Sequence, residues 1–206
     1  MSDFETHLRW GIATHSVLVA IVVTTYLVGV SPLGALALAM ATLPITLAGA
    51  LFPDLDHPSS IPHRYGAHGC PVLAGALALA ISLRYQPAVI ETLGRVTGQP
   101  SAFLGGGLVA SLAWATWLGT WRLFPILRPS HRTVTHRLST GIVVALCIGA
   151  SVSLLLGADG PIRTSVRAVS LAASATFLLG FLSHLSADGL HHDYATRLHA
   201  LVTSHD

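Results

Sequence analysis

The chain has 206 residues, 52% of them hydrophobic and only 10% charged, with a mean hydropathy of +0.65. Soluble domains carry about 25% charged residues, so this composition excludes an ordinary water-facing surface and points to one that faces lipid. The formal net charge is +2, every basic residue is Arg, and no basic stripe interleaved with aromatics occurs, which argues against a nucleic-acid partner.

The N-terminus, Met1 to Glu5, is acidic where a signal peptide needs basic residues, so it reads as a retained segment. A spanning helix needs about 20 mostly apolar residues. In chain order the stretches that meet this are Gly11–Val30, Leu33–Phe52, Cys70–Ile90, Ala102–Trp121, Leu138–Gly157 and Val166–Leu190. Only Ser31 and Pro32 join the first two, which predicts an antiparallel hairpin with Pro32 at a helix start. Pro44 predicts a kink in the second. The third is the weakest: its clean apolar part ends at Leu83, and Arg84 and Pro87 interrupt the rest. Snorkelling of Arg84 toward the interface would let it span, and Gln86–Ser101 then reads as a connector. Trp121, with Trp114 and Trp117 before it, marks an interfacial belt at the end of the fourth. Cys70 and Cys147 lie in apolar stretches without CxxC spacing and read as packing residues.

These elements predict an all-α polytopic membrane helix bundle of about six transmembrane helices, one domain over 1–206. Six crossings put Arg9, Arg64, Arg122, Arg128, Arg132, Arg137 and Arg197 on one side, and Arg84, Arg95, Arg163 and Arg167 on the other. The Arg excess places both termini in the cytoplasm, with the chain multi-pass in the plasma membrane.

Twelve His against nine acids is the unusual feature of the composition. They fall in four clusters. His7 precedes the first span, with His15 after it. Asp54, Asp56 and His57 follow Pro53 at the end of the second, before His63 and His68. His131, Arg132 and His136 precede the fifth, with Pro129-Ser130 reading as its helix start. His184 and Asp188 end the sixth, before His191, His192 and Asp193. An even number of crossings separates these clusters, so the motifs converge at one membrane face. The middles of the spans carry no such groups.

His184 and Asp188 are four apart and share a helix face. Ionisable groups in an apolar span are functional by default. Asp54 and Asp56, two apart, either point the same way or divide the work, Asp56 binding while Asp54 orients a neighbouring His. His131 and His136 are five apart, about 140° around a helix, so one continuous helix does not aim both at one point. Imidazole plus carboxylate suits a divalent transition metal such as Zn or Mn. His15 reads as a packing residue; His63, His68, His191, His192, His199 and His205 read as surface or supporting residues.

Glu5-Thr6-His7-Leu8, Leu51-Phe52-Pro53-Asp54-Leu55-Asp56-His57-Pro58, His131-Arg132-Thr133-Val134-Thr135-His136 and Gly180-Phe181-Leu182-Ser183-His184-Leu185-Ser186-Ala187-Asp188, in this order, resemble the YdjM-type family of predicted membrane-bound metal-dependent hydrolases. The resemblance covers essentially the whole chain. It implies metal ligation by His7, Asp54, Asp56, His131, His136, His184 and Asp188, and hydrolysis as the reaction.

Seven candidates exceed the three or four ligands of one zinc, so one or two ions are expected. Asp54, Asp188 or His136 is then the proton acceptor, and Arg132 steadies developing negative charge. A site at headgroup level favours an amphiphilic ester or phosphoester, with membrane lipids as surroundings. There is no GxSxG or HExxH motif to suggest a serine lipase or a zincin. The rival readings are a metal-ion transporter and a metal-stabilised scaffold without turnover.

Overall fold

The computed structural model of the chain describes residues 4–26, 32–98, 102–125, 134–157 and 163–189. These residues form α1 Phe4–Tyr26, α2 Pro32–Leu51, a 3-10 turn Pro53–Asp56, α3 Ile61–Thr97, α4 Ala102–Leu123, α5 Leu138–Leu156 and α6 Arg163–Ala187. No strand occurs among the described residues, as an all-α bundle requires. Four helices, α3 to α6, are long and apolar enough to cross a membrane, and Ala39–Leu51 within α2 is a shorter apolar stretch. α2 begins at Pro32 as expected; Ser31 lies outside the described residues.

α6 is the axis of the bundle. It packs against α1, α2 and α5, and half of its apolar window is buried, against 11–17% for α3, α4 and α5. In lipid, helices gain little from hiding apolar surface and associate through close packing instead. Small residues permit that approach. A side chain at Gly180 would strike the Thr46 carbonyl, and one at Gly49 the Phe177 carbonyl, so α2 and α6 touch backbone to backbone. Beside this contact Ala145, Phe177, Phe181 and Leu185 form the buried core, with Ile45, Phe52 and Val144 packed on it. The Phe52 ring meets Phe177 edge to face at 5.7 Å.

α3 departs from expectation. It does not break at Arg84 and Pro87 but runs 37 residues, from an N-cap at Ser60 to Gly98, whose φ of 66° ends it in the left-handed conformation. At 1.5 Å per residue that is about 55 Å, well beyond the ~30 Å hydrocarbon core. The stretch expected as a connector is therefore mostly helix. Two contacts explain its persistence. α4 packs along it, with Gly75 against Trp117 and Gly105 against Ile90. The Arg84 guanidinium lies against Gly157 at the C-cap of α5, and the Tyr85 hydroxyl donates to the Leu154 carbonyl at 3.4 Å. The last carbonyls of a helix lack internal partners and attract cations, so Arg84 has a polar neighbour there.

α4 brings the chain back to where α3 started. The Phe124 ring lies 5.5 Å from the His63 ring in the first turn of α3. The acidic turn before α3 and the imidazole turn before α5 are thus at the same end of the bundle. Gly180→Leu is expected to separate α6 from α2 and to lower stability by about 3 kcal/mol, the upper part of the range for overpacking. Thermal unfolding in detergent, compared with Gly106→Leu where a side chain meets open space, tests this.

Candidate metal centre

Each donor at this end is delivered by a helix terminus. His7 lies at the end of the first turn of α1. Asp54 and Asp56 lie in the 3-10 turn that follows α2, which Pro53 opens. That turn is fastened to α3: Ser60 Oγ donates to the Asp54 carbonyl at 2.6 Å and caps the His63 amide at 3.0 Å. His63 Nδ1 donates to the Leu55 carbonyl at 2.6 Å. His63, read from the sequence as a surface or supporting residue, is buried and holds the acidic turn in place.

His136 sits in the turn Val134–Arg137, not in a helix. The expected helix start near Pro129-Ser130 is not where α5 begins. Arg137 is an extended N-cap, α5 starts at Leu138, and Thr140 Oγ1 donates to the Val134 carbonyl at 2.6 Å to brace the turn. The argument from angles around one continuous helix therefore does not govern His136. His131 and Arg132 lie outside the described residues. Arg137, beside His136 in sequence, is exposed.

His184 and Asp188 come from the last turn of α6 and the residue after it. The two rings of His7 and His184 stack at 3.7 Å, 11° from parallel, and His136 meets His184 edge-on at 5.2 Å. The side chains of His7, His136, His184, Asp56 and Asp188 are 2% exposed or less, whereas Asp54 keeps 12%. Asp54 is therefore the carboxylate that water reaches most easily.

Hydrogen bonds fix which nitrogens face the centre. His184 Nδ1 lies 2.8 Å from the Ala50 carbonyl, which can only accept, so Nδ1 carries the proton. Ala50 is next to last in α2, where carbonyls lack helical partners. Thr135 Oγ1 donates its one proton to Asp56 Oδ2, so at 3.2 Å it accepts from His136 Nδ1. In neutral rings both Nε2 atoms are then left with lone pairs, and they face each other at 3.3 Å. Two lone pairs at that distance repel; a proton on one Nε2 or a cation between the two removes the repulsion.

The carboxylates close the arrangement. Asp188 Oδ2 is 3.7 Å from His136 Nε2 and 3.8 Å from His184 Nε2. Asp54 Oδ1 is 3.9 Å from His184 Nε2. His7 Nε2 is 3.6 Å from Asp188 Oδ1 and 3.9 Å from Asp54 Oδ2. These separations are too long for hydrogen bonds. Ligands about 2.0–2.1 Å from a tetrahedral ion lie about 3.4 Å apart; the donors here lie between 3.3 Å and 4.8 Å apart, an expanded arrangement compatible with a cation at its centre. Two sets of donors come within 4.8 Å of one another: His7, His184 and Asp188, and Asp54, His136 and His184.

Of the residues expected as ligands, the structure brings together His7, Asp54, His136, His184 and Asp188. The two acids of the turn do not point the same way. Asp54 faces the imidazoles, and Asp56 stands behind Thr135, its Oδ2 4.0 Å from His136 Nδ1. His15 is a packing residue, bonded to Thr46 Oγ1 and the Ala39 carbonyl at 3.1 Å each. Thr135 had no role in the sequence reading. Only its place one residue before a candidate ligand could have suggested one.

Comparison of the chain with protein-family models, with curated proteins and with solved structures finds no match.

Losing the hydroxyl of Thr135 should release the His136 ring. Partners of this kind typically change metal affinity 10–100-fold, so Thr135→Val is expected to weaken binding by that factor and Thr135→Ser to restore most of it. Competition against a chromophoric chelator measures both.

Proposed function

We propose that this chain is a membrane-embedded metal-dependent hydrolase of the YdjM type, acting on an amphiphilic ester or phosphoester at the cytoplasmic interface. The observation that carries the reading is the pair of Nε2 lone pairs facing each other at 3.3 Å, ringed by two nearly buried carboxylates. That donor set fits Zn or Mn. In this reading all six helices cross the plasma membrane and both termini are cytoplasmic.

When bound, a divalent cation supplies Lewis acidity that brings the pKa of water to near neutrality. The chain's own residues do the rest. Asp54, the most accessible of the three carboxylates, accepts a hydrogen bond from the attacking water and orients it. His184 and His136 keep their Nε2 atoms aimed inward because Ala50 and Thr135 hold their Nδ1 protons. Phe181 and Leu185, from the core below, exclude bulk water from the inner side. Arg132 is proposed to neutralise charge developing on the substrate.

The surroundings favour an amphiphile. A surface groove of about 650 Å³ is lined by Phe4, Glu5, Leu8, Arg9 and Ile61. None of the donors is among its lining, and its mix of apolar and charged walls suits an amphiphile resting on that face of α1. A metal transporter, by contrast, places its ion near the bilayer midplane, whereas every donor here comes from a helix end.

Purified in detergent and dialysed, the wild type is expected to retain Zn or Mn by elemental analysis, and Asp54→Ala and His184→Ala to lose it. Equal and negligible metal in all three after reconstitution would end the metal reading. Chelation is expected to lower the melting temperature by roughly 5–10 °C, for an ion at about 100 times its Kd, and re-addition to restore it. The metal-loaded protein should cleave ester or phosphoester lipids in mixed micelles; turnover of neither class would exclude the hydrolase.

A further inference from the structure

We infer that the centre holds two divalent cations bridged by Asp54 and Asp188. This deepens the metal reading above and rests on it. Both carboxylates show their two oxygens to different imidazoles. Asp54 Oδ1 lies 3.9 Å from His184 Nε2, while its Oδ2 lies 3.9 Å from His7 Nε2. Asp188 Oδ2 lies 3.8 Å from His184 Nε2 and 3.7 Å from His136 Nε2, while its Oδ1 lies 3.6 Å from His7 Nε2. Each carboxylate thus turns one oxygen toward His184 and the other toward His7, both in the same sense.

The lone pairs count the same way. His184 Nε2 belongs to both donor sets, but its single lone pair binds one ion. Its 3.3 Å approach to His136 Nε2 assigns it to the position those two rings share. His7, whose ring stacks on His184 and so lies beside it, is left with the other oxygens of Asp54 and Asp188 and defines a second position. The two positions are unequal. The inner one has two imidazoles and two carboxylate oxygens. The outer one has one imidazole and two carboxylate oxygens. The outer position is the one on the α1 side, because His7 comes from α1. The class of substrate this arrangement takes is a phosphoester, because a pair of ions clamps both the attacking and the leaving oxygen of an in-line displacement.

The test is a Mn²⁺ titration of metal-free protein in detergent, read by bound metal per chain and by electron paramagnetic resonance. Wild type is expected to saturate at two Mn²⁺ with an exchange-coupled spectrum, because carboxylate bridges couple the spins. His7→Ala is expected to keep one, with the hyperfine spectrum of an isolated ion. His136→Ala should lose the tighter binding step. Saturation of the wild type at one uncoupled ion overturns the two-ion centre while leaving the metal reading intact. A coupled pair in His7→Ala overturns the assignment of the second position. No binding by folded wild type overturns the metal reading itself. If His7→Ala does not fold, the wild-type stoichiometry and spectrum alone decide.

Discussion

Two imidazole nitrogens with their lone pairs aimed at each other 3.3 Å apart are the constraint on which this structure turns. Neither ring can relieve the repulsion by exchanging its proton between nitrogens. The Ala50 carbonyl holds one Nδ1 proton and Thr135, itself committed to Asp56, holds the other. Relief therefore comes from positive charge at that point, either a proton on one Nε2 or a metal ion between the two. The carboxylates of Asp54 and Asp188 stand around that same point, almost without solvent. Buried carboxylates are costly unless paired with charge or metal, so positive charge at this one point would answer both problems.

The bundle supplies this geometry through α6. Its glycine-mediated contact with α2 sets the height of His184 against the last free carbonyls of α2, because Gly180 and Ala50 lie on the same face of contact. One turn of helix separates Phe181 from Leu185, with His184 between them, so the residue that faces the centre is adjacent to two that fill the core. A shift of α6 by even part of a turn would remove the Ala50 hydrogen bond and both Asp188 contacts together. α3 and α4 contribute differently. They form a long excursion that returns, and its base fixes the acidic turn through Ser60 and His63.

Much of this could be read along the chain. The low charge content and the apolar stretches pointed to the helical class and, within one or two residues, to the starts of α2 and α4; for α5 the apolar stretch from Leu138 marked the start that Pro129-Ser130 misplaced. The clusters around His7, Asp54, His136 and His184 were legible as chemistry because ionisable groups beside apolar spans have few bland explanations. α3 was less legible. Arg84 and Pro87 look like breakers locally, and what keeps the helix going is packing on α4 and the carbonyl end of α5, neither of which is near in sequence. That helix also starts at the Ser60 N-cap, followed by Ile61-Pro62, well before the apolar stretch that begins at Cys70.

The sequence by itself determined the medium and the inventory: a helical chain made for lipid, with His and Asp concentrated where helices begin and end. Composition and period are local properties, so one chain states them without reference to anything else. Tertiary structure decided the division of labour. Whether Asp54 or Asp56 faces the imidazoles, which nitrogen of each ring carries the proton, and that Thr135 links His136 to an acid 79 positions earlier are set by distances between segments that only the packed bundle brings together. Hydrogen-bond direction depends on the partner, and the partner is chosen by the fold.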